Sequence, residues 1–436
     1  MNYAARRARL AESLGDGVLV LPTSPERTRS NDTLYRYRAS SDVLYLSGFA
    51  EPEAVVVFRP QHPETPFVLF VRPRDKEREI WDGFRYGPEG AVEHFGADAA
   101  YPIEALDEEL PKLLKGAGSL HYTLGVDSAF DARILGYMRK LGASRRAPSR
   151  APAAIVDPRL AIHALRREKD ADELVVMAKA AEITAAAHLE AMTSVRPGMF
   201  EYQVEGLLEA HFRRHGAEGA AYGSIVAGGA NACCLHYIEN NKELRDGDLL
   251  LIDAGCEYQH YAADITRTFP VGRAFTGEQR AIYELVLAVE EAAIAEARPG
   301  RTNDAMQKAA TRQLTQGLVD LGLLEGEVDA LIEDEKHKRF YMHGLGHYLG
   351  MDVHDVGAYW VDEGVGAPMP EGAVITIEPG IYVGPDDEEA PERFRGIGVR
   401  IEDDVVLTAE GPRVLTSGVP KAIDDIEALR RDALGS

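Results

Sequence analysis

Residues 247–271 read GDLLLIDAGCEYQHYAADITRTFPV, and the fold turns on this stretch. Leu249 to Ile252 form a short apolar run, the length of a buried strand. The run ends on Asp253. Gly255 to Gln259 reads as a turn, and Tyr261 to Phe269 resumes a strand pattern in which Asp264, Thr266 and Thr268 share a face by period-two alternation. The two strands are expected to pair as a hairpin, with Asp253 and Asp264 close across it. Two carboxylates about 4 Å apart repel by roughly 4 kcal/mol at an effective dielectric of ~20. A buried pair must therefore share a proton or bind cations. An exposed pair needs neither: one Asp caps a turn and the other is solvated.

Three later stretches have the same character. Ala373 to Ile377 is an apolar strand that runs into Glu378-Pro379-Gly380. Gly398 to Leu407 alternates, which puts Arg400, Glu402 and Asp404 on one face and Val399, Ile401 and Asp403 on the other. Residues 342–357, MHGLGHYLGMDVHDVG, carry His343, His347 and His354. His343 precedes His347 by one helical turn, but Gly344, Gly346 and Gly350 weaken a helix, and no Glu follows His343 as in the His-Glu-x-x-His zinc pattern. One His and four carboxylates at strand ends make a hard, oxygen-rich site for two divalent ions.

The chain has 436 residues, enough for two domains and a sizeable core. Its formal net charge of −23 argues against nucleic acid or an anionic membrane as partner. Three Cys are too few for a disulfide framework, and with no C-x-x-C pattern they fit a reducing cytoplasm. The N-terminal MNYAARRARLAESL lacks the apolar segment of a signal peptide and reads as an amphipathic helix. No apolar run approaches the ~20 residues of a membrane span.

The fold class expected is α/β (α+β), in two domains, 1–160 and 161–436. In the first, Gly17–Leu21, Ala54–Phe58 and Phe67–Val71 read as strands, and Ile103–Leu114 and Ala129–Leu141 as helices. Residues 142–158, GASRRAPSRAPAAIVDP, read as a linker. Beyond it, Glu168–Thr193, Glu201–His215, Gly277–Ala297 and Asp304–Leu321 carry helical patterns. Helices in pairs, each pair followed by strands, hint at a duplicated half.

These pieces resemble the metallopeptidases of the pita-bread fold, the family of methionine aminopeptidase, prolidase and aminopeptidase P. The resemblance is carried by LLIDAG with Asp253, ADITRTF with Asp264, HGLGHYLGMDVHDVG with His347, TIEPGIY with Glu378 and GVRIEDDV with Glu402, all in family order. VLVLPTSPERTRSNDTLYRYRASSDVLYLSGFAEPEAV and EIWDGFRYGPEGA resemble the N-terminal domain of the aminopeptidase P branch.

The resemblance implies an N-terminal α/β domain followed by a pita-bread catalytic domain, and two divalent ions about 3.5–4 Å apart. Asp264 and Glu402 would bridge them, Asp253 would complete one, and His347 and Glu378 the other. Mn²⁺ suits a carboxylate-rich site with one His, with Co²⁺ or Zn²⁺ as alternatives. Water or hydroxide activated by the ions would attack the scissile carbonyl, with Glu378 as proton acceptor and later donor. Arg400 would orient Glu402 from outside the ligand set. His236 (in CCLHYIEN), His343 and His354 would line the cleft, hydrogen-bond the peptide and stabilise the oxyanion. Tyr382 is a candidate for the same cleft. Asp42 and Trp81 would close its far end, across a subunit boundary.

The activity implied is removal of the first residue from peptides with proline second, by an oligomer, a tetramer ahead of a dimer. His236, His354 and Arg400 would sit near the proline ring. Prolidase, an Xaa-Pro dipeptidase, shares the ligand set and is the alternative. A more distant one is a pita-bread binding protein without enzymatic activity, which the complete ligand set disfavours.

Overall fold

Residues 1–143 and 150–435 are described by a computed structural model. They divide into two units, Met1–Arg166 and Arg167–Ser436. The first is built on a six-stranded mixed sheet in the order Ala99–Pro102, Phe67–Val71, Val55–Phe58, Val18–Pro22, Ser119–His121, Ala154–Val156. The central strands are continuously apolar, and Val18, Val20, Val57, Val68 and Phe70 pack with Leu106, Leu110 and Ile134 from the helices on one face. The segment read as a linker contradicts that reading in part. Residues 144–149 lie outside the described residues, but Ala154–Val156 is an edge strand, parallel to Ser119–His121. Three residues, none of them fully buried, carry no alternation for the sequence to display.

The second unit repeats one plan twice. Helices Ala171–Ser194 and Glu201–Arg214 precede an antiparallel sheet of Ile225–Gly228, Leu249–Asp253 and Thr266–Pro270, with Leu249–Asp253 central. Helices Gly277–Glu296 and Asn303–Asp320 precede a second, Val374–Ile377, Asp403–Thr408 and Gly411–Val414, with Asp403–Thr408 central. The first helix of each half opens with a capping box, Asp170 with Glu173 and Thr276 with Gln279, which satisfies free N–H groups at the helix start. Among the described residues a single β-bridge, Thr266 to Glu402, joins the sheets of the two halves. One apolar core, from Ala180 through Ile252 and Val286 to Ile377 and Val405, runs under both. Among the described residues no helix is long and apolar enough to cross a membrane.

Two expected strands are each broken in two. Cys256–Tyr258, read as turn, is a strand that pairs with Tyr261–Ala262. The true turn is Gln259-His260, both at positive φ (47° and 68°), as a two-residue hairpin of the primed type requires. The partner of Leu249–Asp253 begins only at Thr266, opposite Asp253. Likewise Gly398–Leu407 splits into Ile397–Arg400 and Asp403–Thr408, with Ile401 and Glu402 between. In both cases a carboxylate, Asp264 or Glu402, lies where the ladder lapses and the backbone can bend toward the cavity.

Candidate active site

Close backbone approaches set the cavity floor. A Cβ on Gly255 would lie 1.7 Å from the Ala263 carbonyl oxygen, so only glycine lets Ala263–Ile265 pass over the end of the Asp253 strand. Ala254 N donates to Ile265 O (3.1 Å) and Ala263 N to Cys256 O (3.0 Å), which fixes Asp264 beside Asp253. Gly346 does the same for the His347 segment, where a Cβ would lie 1.9 Å from Thr376 O. That segment is extended, not helical: it runs along Val374–Ile377, with Thr376 N on His347 O (2.8 Å) and Glu378 N on Leu345 O (2.8 Å).

The result is a cavity of about 510 Å³ lined by Asp253, Asp264, His347, Glu378 and Glu402, together with His236, His343, His354, Arg400 and Tyr222. Ile225, Leu235, Ile238 and Val353 supply its apolar wall. His347 Nδ1 donates to Tyr348 O at 3.0 Å, because a carbonyl can only accept. Nε2 is therefore the bare nitrogen, 3.6 Å from both Asp264 Oδ2 and Glu378 Oε1. Burial pushes this imidazole down to about 4, so it is neutral. One donor atom each from Asp264, His347 and Glu402 lies within 4.8 Å of the others.

Burial, and then the neighbouring carboxylates, push Asp264 and Glu402 well above the usual carboxylate range. Burial also raises Glu378, to about 8, with Asp253 adding and Arg400 opposing. Such a set is costly on its own and is relieved by cations. Hard oxygens with one bare imidazole fit divalent metal.

The alternation read for Arg400, Glu402 and Asp404 holds across the strand break. All three reach the same side: Arg400 Nε donates to Thr266 Oγ1 (3.2 Å), Glu402 Oε2 accepts from Thr266 Oγ1 (2.7 Å), and Asp404 Oδ2 accepts from Asp264 N (3.1 Å). Arg400 serves Asp253, at 2.6 Å, not Glu402 as expected.

Tyr382 is not among the cavity-lining residues; it is buried behind them. Its hydroxyl accepts from Arg400 Nη1 (2.9 Å) and donates to His343 Nε2 (2.8 Å), whose Nδ1 donates to Gly344 O (2.7 Å). Burial, then the Arg400 charge, hold His343 down at about 4. Both its nitrogens are thus engaged, which leaves none for a peptide carbonyl in this arrangement. His236 and His354 are exposed to the cavity, and His354 packs edge-on to His347 with ring centroids 4.4 Å apart.

Tyr222 escaped the sequence reading. It donates to Asp253 Oδ1 (2.7 Å) and lies still closer to Asp264 Oδ1. It stands in AAYGS with no charged or periodic neighbour to mark it. In the other unit, Asp42 pairs with Arg166 (2.8 Å) and His163 (3.4 Å), and Trp81 is 84% exposed.

Residues 176–409 match Metallopeptidase family M24, and residues 3–122 match the aminopeptidase P N-terminal domain. The Xaa-Pro aminopeptidase of Escherichia coli strain K12 is 45% identical over 98% of this chain and 97% of its own. The structure of Pseudomonas aeruginosa aminopeptidase PepP superposes with TM-score 0.96 at 48% identity, covering 99% of this chain and 98% of that one. A zinc-substituted E. coli aminopeptidase P in complex with product gives 0.94 at 44%, with coverage of 99% and 98%. The M24 match takes in more than half of the chain and every residue around the cavity, and the chain belongs to metallopeptidase family M24.

Proposed function

We propose that this chain is an Xaa-Pro aminopeptidase, a metal-dependent hydrolase that removes the N-terminal residue from peptides whose second residue is proline. The observation that carries the reading is the convergence of four carboxylates and a bare imidazole nitrogen on one cavity whose wall is otherwise apolar. The Xaa-Pro aminopeptidases that align over nearly the whole chain support it.

Asp253, Asp264, His347, Glu378 and Glu402 would hold two divalent ions, Mn²⁺ first, with Co²⁺ and Zn²⁺ as alternatives. When bound, such ions supply Lewis acidity and lower the pKa of water. The chain's own groups do the rest. Glu378 takes the proton of the attacking water and returns it to the departing proline nitrogen. Its Oε1 lies 3.6 Å from the His347 Nε2 in the cavity, within reach of a water held among the same residues. His236 and His354 have side chains free to meet the peptide and its developing oxyanion. His343, Tyr382 and Arg400 form a hydrogen-bond chain that orients Asp253. The apolar wall receives the proline ring, whose tertiary amide has no N–H to satisfy.

The chain is further read as a cytoplasmic homo-oligomer, a tetramer ahead of a dimer. Support comes from Ile80, Trp81 and Phe84, three large apolar side chains exposed together on the first unit. Light scattering of the active enzyme at a single-chain mass would overturn it.

The test of activity is a panel of Xaa-Pro dipeptides and Xaa-Pro-Yaa tripeptides with added Mn²⁺. Release of the first residue from the tripeptides is expected. Turnover of dipeptides with the tripeptides untouched would make the chain a prolidase, and hydrolysis of neither would leave a binding protein.

A further inference from the structure

His236, which meets the peptide, sits in the segment that follows the strand Ile225–Gly228. His236 and Ile238 both line the cavity and both are exposed. Among the described residues the His236 ring makes no hydrogen bond, so only its backbone can place it. That backbone is gripped from behind by one side chain. Glu201, at the start of its helix, is fully buried. Its Oε1 accepts from Gly228 N and Asn231 Nδ2, and its Oε2 from Tyr237 OH and Lys242 N, each at 2.8 Å. A carboxylate offers about four acceptor positions, and all four are used. The four donors span residues 228–242, and Tyr237 directly follows His236. Asn240 adds a second grip: its Oδ1 accepts from Val226 N (3.0 Å) and its Nδ2 donates to Ser224 O (2.8 Å), from a backbone at φ 45°.

The geometry points to Glu201 as a positioning residue for substrate engagement, acting through His236. This rests on reading the cavity as the peptide site. Glu201 touches neither cavity nor ligand set, yet it fixes the register of the loop against the strand Ile225–Gly228. Glutamine is nearly the same size but accepts at one atom only. Its amide N–H groups would face two donors, and the loop would lose half its anchors.

The experiment compares E201Q, H236A and the double variant as metal-loaded enzymes on an Xaa-Pro-Yaa tripeptide, with metal content and Tm measured alongside. Loss by E201Q of about tenfold or more in kcat/KM, with metal content unchanged, is expected. In the H236A background the same substitution should cost nothing further, because residues acting as one unit are not additive. Y237F, which removes one of the four donors and no backbone contact, should show a smaller loss that also vanishes with H236A, and it carries the test should E201Q fail to fold. An E201Q effect that adds in full to H236A, or wild-type kinetics for E201Q beside a crippled H236A, overturns the assignment and leaves the cavity reading standing. Wild-type kinetics for H236A overturns both.

Discussion

Arg400 Nη2 meets Asp253 Oδ2 at 2.6 Å, while its Nε holds Thr266 Oγ1 and its Nη1 holds the Tyr382 hydroxyl. One guanidinium thus fixes a carboxylate, a strand and an aromatic at three angles from a site that is 3% exposed. Lysine has one compact ammonium and cannot reach all three. Arg400→Lys should lose two of the contacts, of which charge-assisted bonds are worth about 1.5–3 kcal/mol each. A fall of about a hundredfold in kcat/KM at saturating metal is expected. A Lys variant within about threefold of wild type would show that the fork geometry does not matter.

The carboxylate set predicts metal stoichiometry. Asp264 is buried against Asp253, Tyr222 and His347, at the centre of the set. Asp264→Ala should bind fewer ions than wild type after dialysis and lose at least about a thousandfold in activity. Metal analysis decides it: two ions retained by an active Asp264→Ala enzyme would remove this residue from the ligand set.

How much of this was legible in the sequence depended on whether a residue stood in a periodic context. Phe67–Val71 and the helix Gly277–Glu296 were read to within a residue, since an apolar run and an amphipathic repeat declare themselves. Asp253 and Glu378 end such runs. Tyr222 does not, and its role exists only because the chain returns to it from residues 253 and 264. The engagement of both His343 nitrogens was equally hidden, because Tyr382 and Gly344 become its partners only in the fold. The breaks at Ala263–Ile265 and Ile401–Glu402 were missed because alternation continues through them while the hydrogen-bond ladder does not.

Gly255 offers a test of the cavity floor. A Cβ there meets backbone, the Ala263 oxygen at 1.7 Å, and backbone cannot swing aside as a side chain can. Gly255→Ala should destabilise by several times the ~1 kcal/mol of an ordinary substitution and reduce metal binding with it. Gly206, in a helix interior with nothing within 4 Å of its virtual Cβ, is the control: Gly206→Ala should stabilise by about 0.5–1 kcal/mol. Urea midpoints of the two variants should therefore move in opposite directions.

His188 sets an acid limit on stability. It is fully buried on the helix Ala171–Ser194 and bonds Ala254 O at 3.0 Å, next to Asp253. Burial holds it down at about 4, against an ordinary value of 6.5. The folded state therefore prefers the neutral ring. Its contribution is complete above pH ~6.5 and is lost as pH falls from there toward 4, some 3 kcal/mol in all at about 1.4 kcal/mol per unit. Imidazole NMR should show His188 uncharged at pH 5.5 in the folded protein. A His188 resonance titrating near 6.5 would contradict this.

Behind Glu402 lies a buried ion network. Lys421 Nζ lies 2.7 Å from Glu290 Oε1 and 2.6 Å from Asp403 Oδ2, and Arg267 Nη2 lies 2.6 Å from Asp403 Oδ1. Burial raises Glu290 to about 8, whereas Arg267 and Lys421 overcome burial and hold Asp403 well below the carboxylate range. Arg267 also donates from Nη1 to Glu402 O (2.6 Å) and Thr266 O (3.0 Å), so its side chain ties this network to the bridge between the two halves. The two cations should therefore differ in what their loss does. Lys421→Met leaves Glu290 facing Asp403 with no cation between them and should cost about 3–5 kcal/mol of stability. Adding Glu290→Leu removes the stranded acid and should recover part of it. Below the unfolding transition, both variants should keep wild-type metal content, because Arg267 still spans Thr266 and Glu402. Arg267→Met should lose stability and metal together. Equal metal loss from Lys421→Met would mean that the network acts on the site as one body, not through the Arg267 side chain.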